Sequence, residues 1–321
     1  MVALTLANRA KEKRVAPCCS PTAACLRSAP SARDVLGPDQ HSAATRPWNL
    51  RGLPSARSRV TGDPGRVRSG ARWDRLRQHP HMTVDNRGRA SPGWLLDELA
   101  VAGRENFDDQ HVARYDSKEH ASAQDEVALL KRWGMTDDAV VVDFGAGTGQ
   151  FTIAVAQACA RVVAVDISPI MLERLHAKVA AANLSNVEVV RAGFLTYEHA
   201  GEPPDFIYSR LALHQLPDAW KAIALARMRL MLRPGARLRL WDVVYDFAPD
   251  AAADRFEAWC ATGGDKVDDE WSRAELEEHV RDEHSTFTWL FEPMLRRAGF
   301  TVEDAEYSAD GIFASYVSRA V

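Results

Sequence analysis

Cysteine is scarce in this chain, with five residues among 321. Cys18, Cys19 and Cys25 cluster near the start, at a spacing that completes no zinc site and reads as unpaired thiols. Cys159 and Cys260 fall in apolar helical contexts and read as core residues. No disulfide framework is expected, which fits a reducing cytoplasm. Long apolar runs are missing too. Nothing approaches the ~18 consecutive apolar residues that cross a bilayer. The apolar stretch Met1–Ala7 is short and is followed, not preceded, by basic residues, so it does not read as a signal peptide. No Gly-Lys-Ser/Thr follows the glycine-rich stretch, which excludes a phosphate-binding loop. His279 and His284 stand five apart, not four, which excludes a zinc-protease helix. No metal site is expected.

Apolar residues are also thin in residues 1–81, which hold only 12 Leu, Ile, Val and Phe and half of the chain's 16 prolines. The same segment carries 15 Lys and Arg against 5 Asp and Glu, a net charge of +10, whereas residues 82–321 carry a net −14. Such a segment buries too little apolar surface to offset the entropy of ordering it, so disorder is expected. Three explanations compete: a targeting peptide that is rich in Arg and Ser, a basic arm for nucleic acid, or translation that begins at Met82. The last is preferred. The acidic remainder argues against a broad nucleic-acid surface, which needs clustered Lys and Arg.

The organising stretch is VVVDFGAGTGQF, residues 140–151. Val140, Val141 and Val142 read as a buried strand closed by Asp143. Gly145, Gly147 and Gly149 then alternate before an apolar stretch that opens a helix. Glycine accepts the backbone angles of so sharp a turn and lets a ligand approach the main chain. The spacing is G-x-G-x-G, not the dinucleotide G-x-G-x-x-G, and Asp143 would repel a pyrophosphate but suit an ammonium group. The next strand, residues 161–166, ends in Asp166, 21 positions after Gly145 and close to the spacing at which an acid reaches ribose hydroxyls. Ser168-Pro169 then caps a helix.

DFGAGTGQF followed by VVAVDISPIML resembles motif I and the following acid of the class I S-adenosylmethionine-dependent methyltransferases, in particular their type 11 and type 25 groups. LHQLPD and LRPGARLRLWD resemble the fourth and fifth strands of that family, and the likeness runs from about residue 121 to the end. It implies a Rossmann-like, doubly wound α/β fold. The sheet would have seven mostly parallel strands with an antiparallel C-terminal strand, and a helical lid would cover it. It implies S-adenosylmethionine as cofactor, held by Asp143, Gly145, Ala146, Gly147, Gly149, Asp166 and Ile167. The family often has Gly-Asp after the third strand to meet the adenine; this chain has Gly193-Phe194, and Phe194 either flanks the adenine or packs in the core. A tyrosine before motif I can reach the methionine end, and Tyr115 matches, against the alternative of plain packing; Arg114 and Lys118 are weaker matches.

The remaining strands are expected at 186–191, 205–209 and 236–244, followed by a terminal hairpin at 300–307 and 311–318. Amphipathic helices are expected at 169–182 and 218–232. Three units follow: the extension 1–81, a helical segment 82–134, and a cofactor-binding domain 135–321 with 245–297 as lid. His214 follows the fourth strand, where a neutral imidazole would suit a general base; a histidine that merely bonds the loop is the competing reading. No Asn/Asp-Pro-Pro-Tyr/Phe run follows that strand, the family's mark of amino-directed base methylation. Aromatic residues in 245–297 point instead to a small, partly apolar methyl acceptor. The alternatives are an NAD-dependent oxidoreductase and a binding protein that keeps the fold without turnover. The oligomeric state is not encoded in any motif.

Overall fold

Three consecutive valines start the first strand, and the sheet grows outward from them. In the computed structural model, the structure describes residues 85–103, 112, 122–264 and 271–321. The extension 1–81, Met82, Arg114, Tyr115 and Lys118 lie outside the described residues. Strand β1 (Val140–Phe144) is buried throughout and runs one residue past Asp143, so the acid stands inside the strand and not at its tip. Parallel neighbours β2 (Arg161–Asp166) and β4 (Phe206–Arg210) flank it. Beyond them lie β3 (Val187–Arg191) and β5 (Arg237–Tyr245), also parallel. The last two long strands, β7 (Phe300–Tyr307) and β8 (Phe313–Ala320), form the expected hairpin. The order is β3-β2-β1-β4-β5-β8-β7, with β8 antiparallel to both neighbours. A two-residue strand, β6 (Thr286–Phe287), pairs with the end of β5 and makes an eighth. The sheet is thus the doubly wound α/β arrangement expected, and its order reverses between β1 and β4, where such sheets open a crevice.

Period-two alternation splits the core between the two faces of the sheet. Val142, Phe144, Ile207 and Leu240 pack on one side with Leu225 and Met228 of α5 (Asp218–Met231) and Leu295 of α8 (Thr288–Ala298). Val141, Val162, Phe206 and Tyr208 pack on the other with Leu130 of α2 (Ala123–Arg132) and Phe151 and Val155 of α3 (Gln150–Ala156). Helix α4 (Pro169–Ala181) follows β2 and starts as its sequence requires. The Ser168 hydroxyl accepts from the Met171 amide at 3.2 Å, and Pro169 occupies the first turn. It stops before Asn183, which takes the left-handed conformation at φ +51°. Between β5 and β7 come α6 (Ala252–Cys260), α7 (Arg273–Asp282) and α8. The first turn of α7 is closed by a reciprocal cap between Ser272 and Glu275. No helix among the described residues is long and apolar enough to cross a membrane.

Two carboxylates, Glu98 buried and Glu126 partly so, tie the segment before β1 to the sheet. Glu98, in the single turn α1 (Glu98–Val101), reaches the loop after β3 and accepts from the Leu195 amide at 3.0 Å. Glu126 of α2 meets Arg239 of β5 in two parallel bonds of 2.9 Å. Arg239 is buried, so removing its partner strands a charge in the interior. Glu126→Ala is expected to cost about 3–5 kcal/mol. Replacing both partners by apolar residues (Glu126→Leu with Arg239→Met) is expected to recover most of that loss. Urea unfolding of the three proteins checks it, and equal losses in the single and double variants would refute this account of the pair.

Candidate functional site

Three glycines shape the turn after β1. Gly145, Gly147 and Gly149 all take positive φ, at 69°, 54° and 88°. A Cβ added at Gly145 would lie 2.3 Å from the Cβ of Ala212, in the loop after β4. The turn's amides are committed within the protein. Gly145 and Ala146 both donate to the Val165 carbonyl, at 2.9 and 3.1 Å, and Gly149 donates to Ala146 at 2.9 Å. Gly147 donates to the Asp166 carboxylate at 2.8 Å. The other Asp166 oxygen accepts from the Ser168 amide at 2.8 Å, and the Ile167 amide also bonds this carboxylate. Helix α3 has only seven residues, so it adds little dipole of its own.

Beside this turn lies an open cleft. Asp143, Gly145, Ala146 and Gly147 line it from the β1 side, and Tyr208, Arg210 and Leu211 from the end of β4. Asp143 is buried, and its Oδ2 accepts from the Thr152 hydroxyl at 2.5 Å. Burial pushes its carboxyl up to about 7; the Thr152 bond opposes this and the nearby Asp166 adds to it. Asp166 is likewise raised by burial, against the bonds from Ser168 and Gly147. Arg210 lies over the Trp241 ring, 3.3 Å from its centroid. Leu211 holds φ +48°, a strained value for a branched side chain, where the chain leaves β4.

The residues expected from the sequence divide into those the cleft collects and those it does not. Asp143, Gly145, Ala146 and Gly147 line it together. Gly149 sits against Leu175, where an added Cβ would come within 2.1 Å, so its glycine serves helix packing as well as the turn. Asp166 stands one bond away through Gly147, with Ile167 next in the chain. Phe194 is in the core, stacked on Phe144 at 5.2 Å between ring centroids. Trp241 packs under Arg210, and Asp242 is buried. Tyr115 lies outside the described residues.

His214 is not among the residues that line the cleft. It is buried, its Nδ1 is bonded to Asp242, and its Nε2 lies 2.9 Å from Glu283. Burial disfavours the imidazolium, but Asp242 and Glu283 outweigh it and shift the ring's pKa upward. Both ring nitrogens thus have acidic partners. The sequence also concealed what surrounds it. His279 and Glu283, four apart at the end of α7, converge on His214, and the ligand-type atoms of the three all lie within 4.8 Å of one another. The spacing of His279 and Glu283 carries that signal; the third member is 65 positions earlier.

Comparison with known proteins agrees with this architecture. A methyltransferase-domain family model matches residues 141–235. An uncharacterized methyltransferase of Anoxybacillus flavithermus is 29% identical over 163 residues, 51% of this chain and 70% of its own length. One from Geobacillus kaustophilus is 36% identical over 107 residues, 33% of this chain and 47% of its own. Among solved structures, the magnesium protoporphyrin IX methyltransferase of Synechocystis PCC 6803 with bound SAH aligns at TM-score 0.51 and 14% identity, over 70% of this chain and all of that one. Residues 141–235 carry a class I S-adenosylmethionine-dependent methyltransferase domain, and S-adenosylmethionine is its cofactor.

The raised Asp143 carboxyl has a consequence for stability. The folded protein keeps a proton there that the unfolded chain loses near pH 4, so burial of Asp143 costs more as the pH climbs to about 7. Asp143→Asn removes that cost. Relative to the natural protein, the variant is expected to gain roughly 2–3 kcal/mol between pH 5 and pH 8. Urea unfolding at the two pH values, without cofactor, measures it.

Proposed function

We propose that this protein transfers a methyl group from S-adenosylmethionine to a small, partly apolar acceptor. The observation that carries the reading is the turn after β1: three glycines at positive φ shape it, its amides are bonded internally, and two carboxylates flank it. A pyrophosphate needs free amides and no neighbouring acids. A cationic donor that carries a ribose suits the carboxylates and the smooth turn instead, and the residues present fit that cofactor. The bound cofactor supplies a methyl group already activated on a sulfonium.

The chain's own work is orientation. Asp143 and the glycine turn would hold the methionine portion, where an ionised acid favours positive charge, and Asp166 would hold the ribose. Once a cation occupies the cleft, Asp143 gives up its proton, so binding tightens as the pH rises toward 7. Residues 245–297 would act as a lid over the carboxyl ends of the strands. Tyr245, Phe247, Phe256 and Phe287 form a continuous aromatic cluster there, with centroid separations of 5.0 to 5.7 Å. That wall supports an acceptor with an apolar part. With His214 held between carboxylates, the reading invokes no side-chain base: an acceptor that is already nucleophilic needs only alignment. The buried free thiols Cys159 and Cys260 fit a reducing compartment, and we place the reaction in the cytoplasm.

Calorimetric titration with S-adenosylmethionine and, separately, with NAD tests the donor. Saturable binding of the first and none of the second is expected, and the reverse would overturn the proposal. Asp143→Ala is expected to weaken binding by about 1.5–3 kcal/mol, the worth of a hydrogen bond to a charged group. Isotope-labelled methyl incorporation into a cell extract, followed by mass spectrometry, then identifies the acceptor; labelling undiminished in Asp143→Ala would remove Asp143 from the site.

A further inference from the structure

The cluster around His214 is organised beyond what an ion pair needs. Each imidazole has one nitrogen anchored from behind and the other turned toward the same carboxylate. His214 Nδ1 is bonded to Asp242, and the His214 amide donates to the same side chain at 3.1 Å. Asp242 is itself fixed, because it also accepts from the Val243 amide at 2.8 Å. This leaves His214 Nε2 facing Glu283 Oε2 at 2.9 Å, with the side-chain Nε2 of Gln215 3.2 Å from that nitrogen. His279 repeats the pattern. Its Nε2 lies 3.1 Å from the Ser285 hydroxyl, and its Nδ1 pairs with the same Glu283 oxygen. Glu283 Oε2 is buried and within ion-pair range of both rings.

An imidazole held from behind by a carboxylate or hydroxyl, with its second nitrogen aimed at a common point, is how proteins prepare histidine for a metal. We propose that His214 Nε2, His279 Nδ1 and the Glu283 carboxylate bind a divalent transition-metal ion of the zinc class. Two imidazoles and one carboxylate favour such an ion over magnesium or calcium, which take oxygen ligands. Bonds of about 2.1 Å to one ion require ligand atoms no more than about 4.2 Å apart. The three atoms lie within 4.8 Å of one another, and because Glu283 Oε2 now touches both rings its carboxylate would swing outward to admit the ion between them. Trp259 stacks edge-on against His279 at 5.2 Å, and Leu276 and Phe313 complete an apolar shell that strengthens charge interactions inside it. Three protein ligands leave a coordination position open. The ligands come from the loop after β4 and from the end of α7, so the ion would fasten the 271–285 region to the strand ends beside the cleft. The site stands independently of which methyl donor the cleft holds.

The test uses the full chain, stripped by chelator and dialysed. Zinc alone is titrated calorimetrically, and cobalt(II) is added separately for its visible absorption. One equivalent of zinc is expected to bind and to raise the melting temperature, and cobalt is expected to give the intense bands of a four- or five-coordinate site. His279→Ala and Glu283→Gln are expected to lose the stoichiometric ion while still binding S-adenosylmethionine. Ser285→Ala is expected to weaken zinc by about 10- to 100-fold. Should a ligand variant fail to fold, the cobalt spectrum of the natural protein and the Ser285→Ala titration decide alone. His176→Ala, exposed on α4, is the control and is expected to bind zinc unchanged. Absence of stoichiometric zinc in the natural protein overturns the proposal, as does binding unaltered in His279→Ala and Glu283→Gln. Failure to bind S-adenosylmethionine with zinc binding intact would count against the donor assignment alone.

Discussion

The pairing of β1 with β2 is the constraint on which the rest depends. Their parallel register sets Phe144 beside Val165, so the chain leaving β1 meets the carbonyl of Val165 and the carboxylate of Asp166 at once. Three amides of the turn bond to those two groups, and the turn is shaped before any ligand arrives. This pre-organisation requires backbone angles that only glycine adopts without strain, and the floor of the turn is closed by Ala212 from the far side of β1. One strand pair thereby fixes both the position of the cleft and the sign of its charge.

Much of this was legible because it is local. Three valines in a row, glycines at alternate positions and an acid at the end of the next strand are short-range signals, and the helix caps at Ser168 and Asn183 are shorter still. Strand β2 was bounded to the residue, and the hairpin β7–β8 to within two. What could not be read depends on distant pairing. Nothing near Phe194 announced that its ring would stack on Phe144. Nothing near His214 announced that a helix end 69 residues later would bring a carboxylate to its second nitrogen. A lone histidine after a strand looks like a base. Its chemistry is decided by neighbours that the linear order hides.

The segment between β5 and β7 behaves accordingly. Its aromatic residues form a cluster of their own, anchored on Tyr245 and Phe313 at the ends of β5 and β8. Charged groups then join it to the sheet: Glu283 through His214, and Thr288 through Asp246 at 3.1 Å. Apolar packing gives this region cohesion, and the buried polar contacts give it one register against the strands.

Glu98 bears on where the working unit begins. Its carboxylate fills the space above Gly193, where an added Cβ would strike it at 2.3 Å, and it satisfies the amide of Leu195. Burial pushes it up to about 7 against those bonds. A polar group that completes the interior of the sheet is thus delivered by a turn some forty residues ahead of β1, and Glu126 does the same for Arg239. A chain cut just before β1 would keep every strand and still be left with holes of the wrong polarity. The upstream stretch is interior furniture of the fold, although its described residues contribute no strand to the sheet.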